Sequence, residues 1–198
     1  MAVLLNRWIS TFKHAFARGV FPHEMSFILE WRWRNLLLSP QKLVKRLPLK
    51  KDSRVLEVGA GSGFYSVAVA RAVAGGKLEL LDLQEEMLDK ARQKMDSAGL
   101  ENVGYTVANL NGLIPFGDGD FDIVFMVTVL GEVKEREFLI REIKRLLRRG
   151  GVLSVSEHFP DPDFVSSGKL RLLLGNNGFL FKRRYGQSWA YTANYEKI

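Results

Sequence analysis

Three glycines at alternate positions constrain this chain more than any other feature. They lie in Val55-Leu56-Glu57-Val58-Gly59-Ala60-Gly61-Ser62-Gly63-Phe64-Tyr65-Ser66. A short apolar, β-branched run leads into them, and an alanine-rich stretch with helical spacing follows through Val73. The pattern predicts strand, tight turn, helix. Glycine removes the Cβ where the backbone turns sharply and a ligand comes close. The N-terminus of the next helix then points its free N–H groups at that ligand. A dinucleotide loop needs the spacing G-x-G-x-x-G. Here the third glycine comes one residue early, and Phe64 stands where that pattern wants glycine. Glu57, two residues before the first glycine, would repel a pyrophosphate and suits a ligand that carries positive charge. A purely structural glycine turn is the competing reading.

From Ser53 onward, strand and helix patterns alternate. Strands are predicted at Arg54–Val58, Lys77–Leu81, Val103–Val107, Phe121–Val127 and Val152–Glu157, and helices at Phe64–Ala74, Gln84–Ala98 and Lys134–Leu147. Such alternation implies a parallel sheet covered by helices on both faces. Gly112, Pro115, Gly117 and Gly119 make the stretch between Val107 and Phe121 a loop. A helix is predicted over Phe164–Leu174, stopping at Gly175. Two strands, Phe179–Tyr185 and Trp189–Glu196, then join through a turn at Gly186. Two strands without an intervening helix must run antiparallel.

The segment before the glycine loop differs in character. Residues 1–52 hold ten Lys/Arg and three acids, whereas the rest of the chain is balanced at 19 of each, so the net charge of +7 lies ahead of the loop. That asymmetry suggests an acidic partner for this part. Leu4, Leu5, Trp8, Ile9, Phe12 and Phe16 recur at helical spacing within residues 1–18. An amphipathic helix of this kind either lies on a membrane interface or packs over the domain and its pocket. A second helix is predicted near Glu24–Leu38. Its basic and aromatic residues fit either nucleic acid or one buried and one solvated face. A third spans Pro40–Leu47, with Ser39 as N-cap and Pro40 in the first position. These three form an expected N-terminal cap over residues 1–50, ahead of a main domain over residues 51–198. The absence of cysteine removes disulfides, thiolate metal sites and cysteine nucleophiles. No stretch is long and apolar enough to span a bilayer. Asn6, Arg7 and Lys13 interrupt any leader-like pattern at the N-terminus. A cytoplasmic location is expected, with peripheral membrane contact through residues 1–18 as a variant.

The E-x-G-x-G-x-G motif after a strand resembles motif I of the class I S-adenosylmethionine-dependent methyltransferases. Their cofactor carries a sulfonium and an amino group but no phosphate, which gives an acidic residue in the loop a physical reason. The resemblance extends from about Arg54 to Lys197 and is nearest to the branch of quinone and phospholipid-type enzymes. It implies a Rossmann-like, mostly parallel seven-stranded α/β sheet in the order 3-2-1-4-5-7-6, the last strand antiparallel. It also implies S-adenosylmethionine as cofactor, held by Glu57, Gly59, Ala60, Gly61, Gly63 and Tyr65. Asp82, ending the second strand, is placed to accept bonds from the ribose hydroxyls. Leu83 and Met87 either pack beside the adenosine or belong to the core. Asn109, with Leu110, stands where family members commonly carry an Asp facing the adenine amino group, and Asn111 is an alternative counterpart. Phe121-Asp122-Ile123-Val124 resembles the fourth motif: Asp122 would fix the strand start, and Met126 and Val127 would reach the cofactor.

Methyl transfer is an in-line displacement from an activated carbon, so the protein mainly aligns the acceptor and excludes water. A base is needed only if the acceptor loses a proton. Glu157 and His158 are the leading catalytic candidates, ahead of Glu132, Tyr191 and His23. His158 is either a base or an exposed loop residue, and Glu157 either orients an acceptor or caps a turn. No metal site is expected, because His14, His23 and His158 lack ligand spacing. The expected acceptor is a small, lipid-like molecule. An RNA-directed methyltransferase and a non-catalytic S-adenosylmethionine-binding protein are the alternatives. Nucleic acid is disfavoured because no base-reading motif is present. Oligomeric state is not legible.

Overall fold

The computed structural model describes residues 37–159 and 161–198. The helix expected over residues 1–18, nearly all of the one near Glu24–Leu38, and His23 lie outside the described residues. The first described helix is α1 (Pro40–Arg46), where the Ser39 side chain accepts the Lys42 N–H as the expected N-cap. There follow β1 (Arg54–Val58), α2 (Ser66–Ala72), β2 (Lys77–Asp82), α3 (Glu85–Ser97), β3 (Val103–Val107) and β4 (Phe121–Val127). Then come α4 (Arg136–Leu146), β5 (Leu147–His158), α5 (Ser167–Asn176), β6 (Phe179–Gln187) and β7 (Ala190–Lys197).

The strands form one sheet in the order β3-β2-β1-β4-β5-β7-β6. β1 to β5 are parallel, and β7 inserts antiparallel between β5 and β6. This is the expected Rossmann-like methyltransferase fold. β1 and β4 are almost continuously apolar because both faces of the sheet are covered. Leu43 and Leu47 at α1, Val69 of α2 and Leu88 of α3 pack on one face against Val55, Leu80 and Phe125. Leu139, Ile143, Leu170 and Leu174 of α4 and α5 pack on the other against Leu56, Val124 and Leu153. All parallel strands therefore end on one rim, beside the glycine loop.

Several element boundaries differ from expectation for local reasons. α2 starts at Ser66 rather than Phe64, because Gly63 is left-handed at φ +77° and Phe64 and Tyr65 pack edge to face in the turn. β5 starts at Leu147 rather than Val152. Gly150, at φ +73°, lies inside it at an irregularity where pairing with β4 jumps from Phe121↔Leu147 to Ile123↔Val152. Gly150-Gly151 is thus a bulge within the strand. α5 runs from Ser167 through Gly175 to Asn176, and the left-handed residue beyond its end is Gly178. The hairpin turn lies at Ser188 and Trp189, while Gly186 pairs with Tyr191 within β6.

Asp122 joins the starts of three strands. Its carboxylate accepts the Arg54 N–H of β1 at 2.8 Å and the Arg148 guanidinium of β5. Asp122→Ala removes both bonds and should lower unfolding stability by about 1–2 kcal/mol, read from a urea titration. Asp122→Asn should retain part of that loss.

Candidate active site

The glycine loop closes on the end of β2. Gly59, Gly61 and Gly63 all adopt positive φ, at +69°, +54° and +77°. A Cβ on Gly59 would collide with a Val129 methyl from the loop after β4, so glycine there also seats the two loops together. The N–H groups of Gly59 and Ala60 donate to the Leu81 carbonyl at 2.8 and 3.1 Å. Gly61 N–H donates to the Asp82 carboxylate at 2.8 Å, and Gly63 N–H to the Ala60 carbonyl at 3.1 Å. The second Asp82 oxygen accepts the Gln84 N–H at 3.0 Å. Burial pushes the Asp82 carboxyl above its usual range, against the pull of bonds from the Gln84, Gly61 and Leu83 backbone. Beneath the loop, Glu57 is buried and its Oε2 accepts the Ser66 hydroxyl at 2.6 Å. Two carboxylates therefore flank the loop.

The other expected residues divide between rim and core. Leu83 is 44 % exposed on the rim, whereas Met87 of α3 is buried. Tyr65 packs in the core with α1 and α2. Asn109 is exposed in the loop after β3, and its Oδ1 accepts both the Asn111 N–H at 2.9 Å and the Asn111 Nδ2 at 3.2 Å. Both lone pairs of that oxygen are thus engaged by Asn111. Leu110 packs against the core face that carries α4 and α5.

At the end of β4, Val127 is buried, and the next residue, Thr128, has φ +53°. A β-branched residue in the left-handed region is strained. The Thr128 N–H donates to the Ser156 carbonyl of β5 at 2.9 Å, holding that backbone in place. Glu157 and His158 follow on alternate faces of β5, paired with Tyr191 and Ala190 of β7. They are both buried, so His158 is the last residue of the strand and not an exposed loop residue. Glu157 lies on the face of Val155 and Tyr191, and its Oε1 has no hydrogen-bond partner. Burial pushes its carboxyl up to about 8, and the nearby Asp161 and Glu132 charges add to this. The Tyr191 hydroxyl donates to the Val165 carbonyl at 2.6 Å. Among the described residues no cluster of His, Asp and Glu is arranged to hold a metal ion.

Residues 56–155 match the methyltransferase domain family, half of the chain. The Aquifex aeolicus S-adenosylmethionine-dependent methyltransferase superposes with a TM-score of 0.82 at 26 % identity, over 90 % of this chain and 100 % of that one. The chain belongs to the class I S-adenosylmethionine-dependent methyltransferases. That membership implies S-adenosylmethionine as its cofactor.

Among the methyltransferase relatives is the ubiquinone/menaquinone biosynthesis C-methyltransferase of Cronobacter sakazakii, 31 % identical over 73 % of this chain and 55 % of its own length. A demethylmenaquinone methyltransferase of Listeria welshimeri is 29 % identical over 83 % of this chain and 70 % of its own. An uncharacterised Mycobacterium tuberculosis protein is 34 % identical over 60 % of this chain and 42 % of its own length. The chain spans about half the length of most of these relatives. A [4+2]-cyclase shares the methyltransferase fold at a TM-score of 0.70 and 19 % identity, covering 80 % of this chain and 79 % of its own.

The loop chemistry fits the cofactor of this family. A phosphate-binding loop presents its N–H groups to the anion. Here those of Gly59, Ala60, Gly61 and Gly63 are spent on protein acceptors, and the flanking carboxylates favour positive charge. Sequence reasoning missed Ser66, whose serine identity carries no hint of a partner nine residues earlier. It also missed the left-handed Thr128, because threonine is among the residues least expected there.

Two outcomes follow for this methyltransferase domain. Gly59→Ala should lower stability by at least about 2 kcal/mol, from a left-handed Cβ and its clash with Val129, and should shift the thermal midpoint downward. For Glu157, the folded-state value lies above the ordinary glutamate value. The stability it supplies is whole below that ordinary value and is lost as the pH rises through about 8. Glu157→Gln should remove this dependence. Its urea midpoint should match wild type in mild acid and exceed it increasingly up to about pH 8.

Proposed function

We propose that this chain transfers the methyl group of S-adenosylmethionine to a small, lipid-like acceptor. The supporting observation is the glycine loop, which spends its N–H groups internally between two carboxylates. The bound cofactor supplies a methyl group already activated on a sulfonium. Gly59, Ala60, Gly61 and Gly63 let the backbone pass close to it, and Glu57 supplies negative charge toward its amino end. Asp82 accepts the ribose hydroxyls on lone pairs left over by Gly61 and Gln84. Leu83 covers the adenine from the rim, and Tyr65, Met87, Leu110 and Val127 shape the floor from the core side. Asn109 meets the adenine amino group once Asn111 Nδ2 gives up its place on Oδ1.

The residues at the ends of β4 and β5 align the acceptor and exclude water. Glu157 holds its proton at neutral pH and so donates a hydrogen bond there. On the opposite face, the same one as Glu57, His158 is the base where the acceptor must lose a proton. Residues 1–50 form the cap over the acceptor and residues 51–198 the cofactor domain. Residues 1–18 supply peripheral membrane contact for a cytoplasmic protein. No helix of the described residues is long and apolar enough to cross a membrane. The relatives named for quinone C-methylation favour a quinol acceptor. A second reading, cofactor binding without methyl transfer, is favoured by the fold shared with a cyclase.

Calorimetry with S-adenosylmethionine tests the site. Asp82→Ala should weaken binding at least tenfold, and equal affinity would remove the cofactor assignment. Methylation of a reduced naphthoquinone probe by the wild-type chain supports transfer. Binding without methylation of any quinol in a panel supports the second reading.

A further inference from the structure

Folding redistributes the positive charge. α1, α5, β6 and β7 together carry nine Lys/Arg against one acid, Glu196. Residues 53–166 carry more acid than base. The two basic blocks, far apart in sequence, meet at the β6 edge of the sheet. On one face Arg46 of α1 donates to the Thr192 hydroxyl at 3.1 Å, and Asn194 Nδ2 donates to the Arg46 carbonyl at 2.7 Å. On the other, α5 packs against β6, with Arg184 donating to the Ser167 hydroxyl at 3.2 Å. Glu196 pairs with Lys182, and among the described residues Arg46, Arg183 and Arg184 have no ion-pair partner.

This charged edge is also apolar. Among the described residues, five of the eight exposed large hydrophobic side chains lie on α5, on β6 or at the ends of the β6–β7 pair: Phe159, Leu172, Leu180, Trp189 and Ile198. Phe159 and Trp189 stand together at the hairpin tip, the Phe159 N–H donating to the Trp189 carbonyl at 2.7 Å.

We propose that the β6 edge, with the outer sides of α1 and α5, is a docking surface for an anionic phospholipid bilayer. Cations attract the negative surface, and an exposed Trp with scattered aliphatic side chains suits the interface beneath it. Single-stranded nucleic acid fits less well, since it stacks on free aromatic faces. Here Arg46 and Arg183 both lie over Tyr185, at 6.0 and 5.1 Å, and Arg171 lies over Phe181 at 4.9 Å. Residues 1–36 carry five Lys/Arg and two Glu, a net charge of the same sign as this surface. A second copy of this face is repelled by its like charge. The inference rests on charge and exposure and stands whether or not the chain transfers a methyl group.

The test is co-sedimentation of the full chain with vesicles, at low and physiological salt. Vesicles of phosphatidylcholine containing phosphatidylglycerol should carry the protein down, and pure phosphatidylcholine should not. Lys182→Gln/Arg183→Gln/Arg184→Gln should weaken that binding about a hundredfold, and Trp189→Ser should weaken it further. If the triple variant melts early, the exposed Lys42→Gln/Lys45→Gln pair on α1 gives the same reading by a smaller loss. Unchanged vesicle binding by well-folded variants of both kinds overturns the proposal and assigns binding to residues 1–36. So does binding of a single-stranded oligonucleotide without vesicle binding, or dissociation of an oligomer as the sole effect.

Discussion

The hydrogen bond from the Gly61 N–H to the Asp82 carboxylate is the constraint around which the site is built. It joins the loop after β1 to the end of β2, two strands that already lie side by side. With the Gly59 and Ala60 bonds to Leu81, it fixes a path for the loop that only left-handed residues can follow. Asp82 is thereby oriented before any ligand arrives, which reduces the ordering that binding must supply. The same bond takes an N–H group away from any phosphate. One interaction thus shapes the loop and occupies a donor that a phosphate would need.

A second consequence of the topology is the separation of the two leading catalytic candidates. Consecutive residues of a strand face opposite ways, so Glu157 and His158 serve different sides of the sheet. Glu157 enters a buried setting where desolvation and the Asp161 and Glu132 charges favour its protonated form. His158 enters the side occupied by α1, α2 and Glu57. A carboxylic acid and an imidazole that are neighbours in sequence therefore do not form a dyad.

The succession of strands and helices and the position of the loop were legible because they rest on strong local signals: β-branched runs, alternating glycines, and a final strand pair with no helix between; the sheet order followed only from the resemblance that the glycine motif carries. Boundaries were less legible where a glycine served a purpose other than punctuation. Gly150 makes a bulge inside β5, Gly175 sits within α5, and Gly186 lies inside β6. Within the site, Glu57 lies in β1, Asp82 at the end of β2, and the glycines in the loop between β1 and α2. Tyr65 and Met87 turned inward, and Asn109 used its carbonyl on Asn111. Those outcomes depend on neighbours many residues away, as do the Ser66–Glu57 bond and the backbone of Thr128. The charge asymmetry was seen only in part, because acids in the middle of the chain masked the basic C-terminal segment in the sum.

The exposed edge of β6 has a consequence for handling the protein. Among the described residues β6 pairs only with β7, so this edge strand of nine residues presents an open row of backbone donors and acceptors, a template for strand-to-strand aggregation. Lys182, Arg183 and Arg184 in succession act as its guard by keeping copies of the chain apart. That guard is ionic, and its range contracts to about 3 Å at molar salt. Concentrated stocks in high salt therefore lose the repulsion that keeps this edge single, whereas dilute buffers of low ionic strength preserve it.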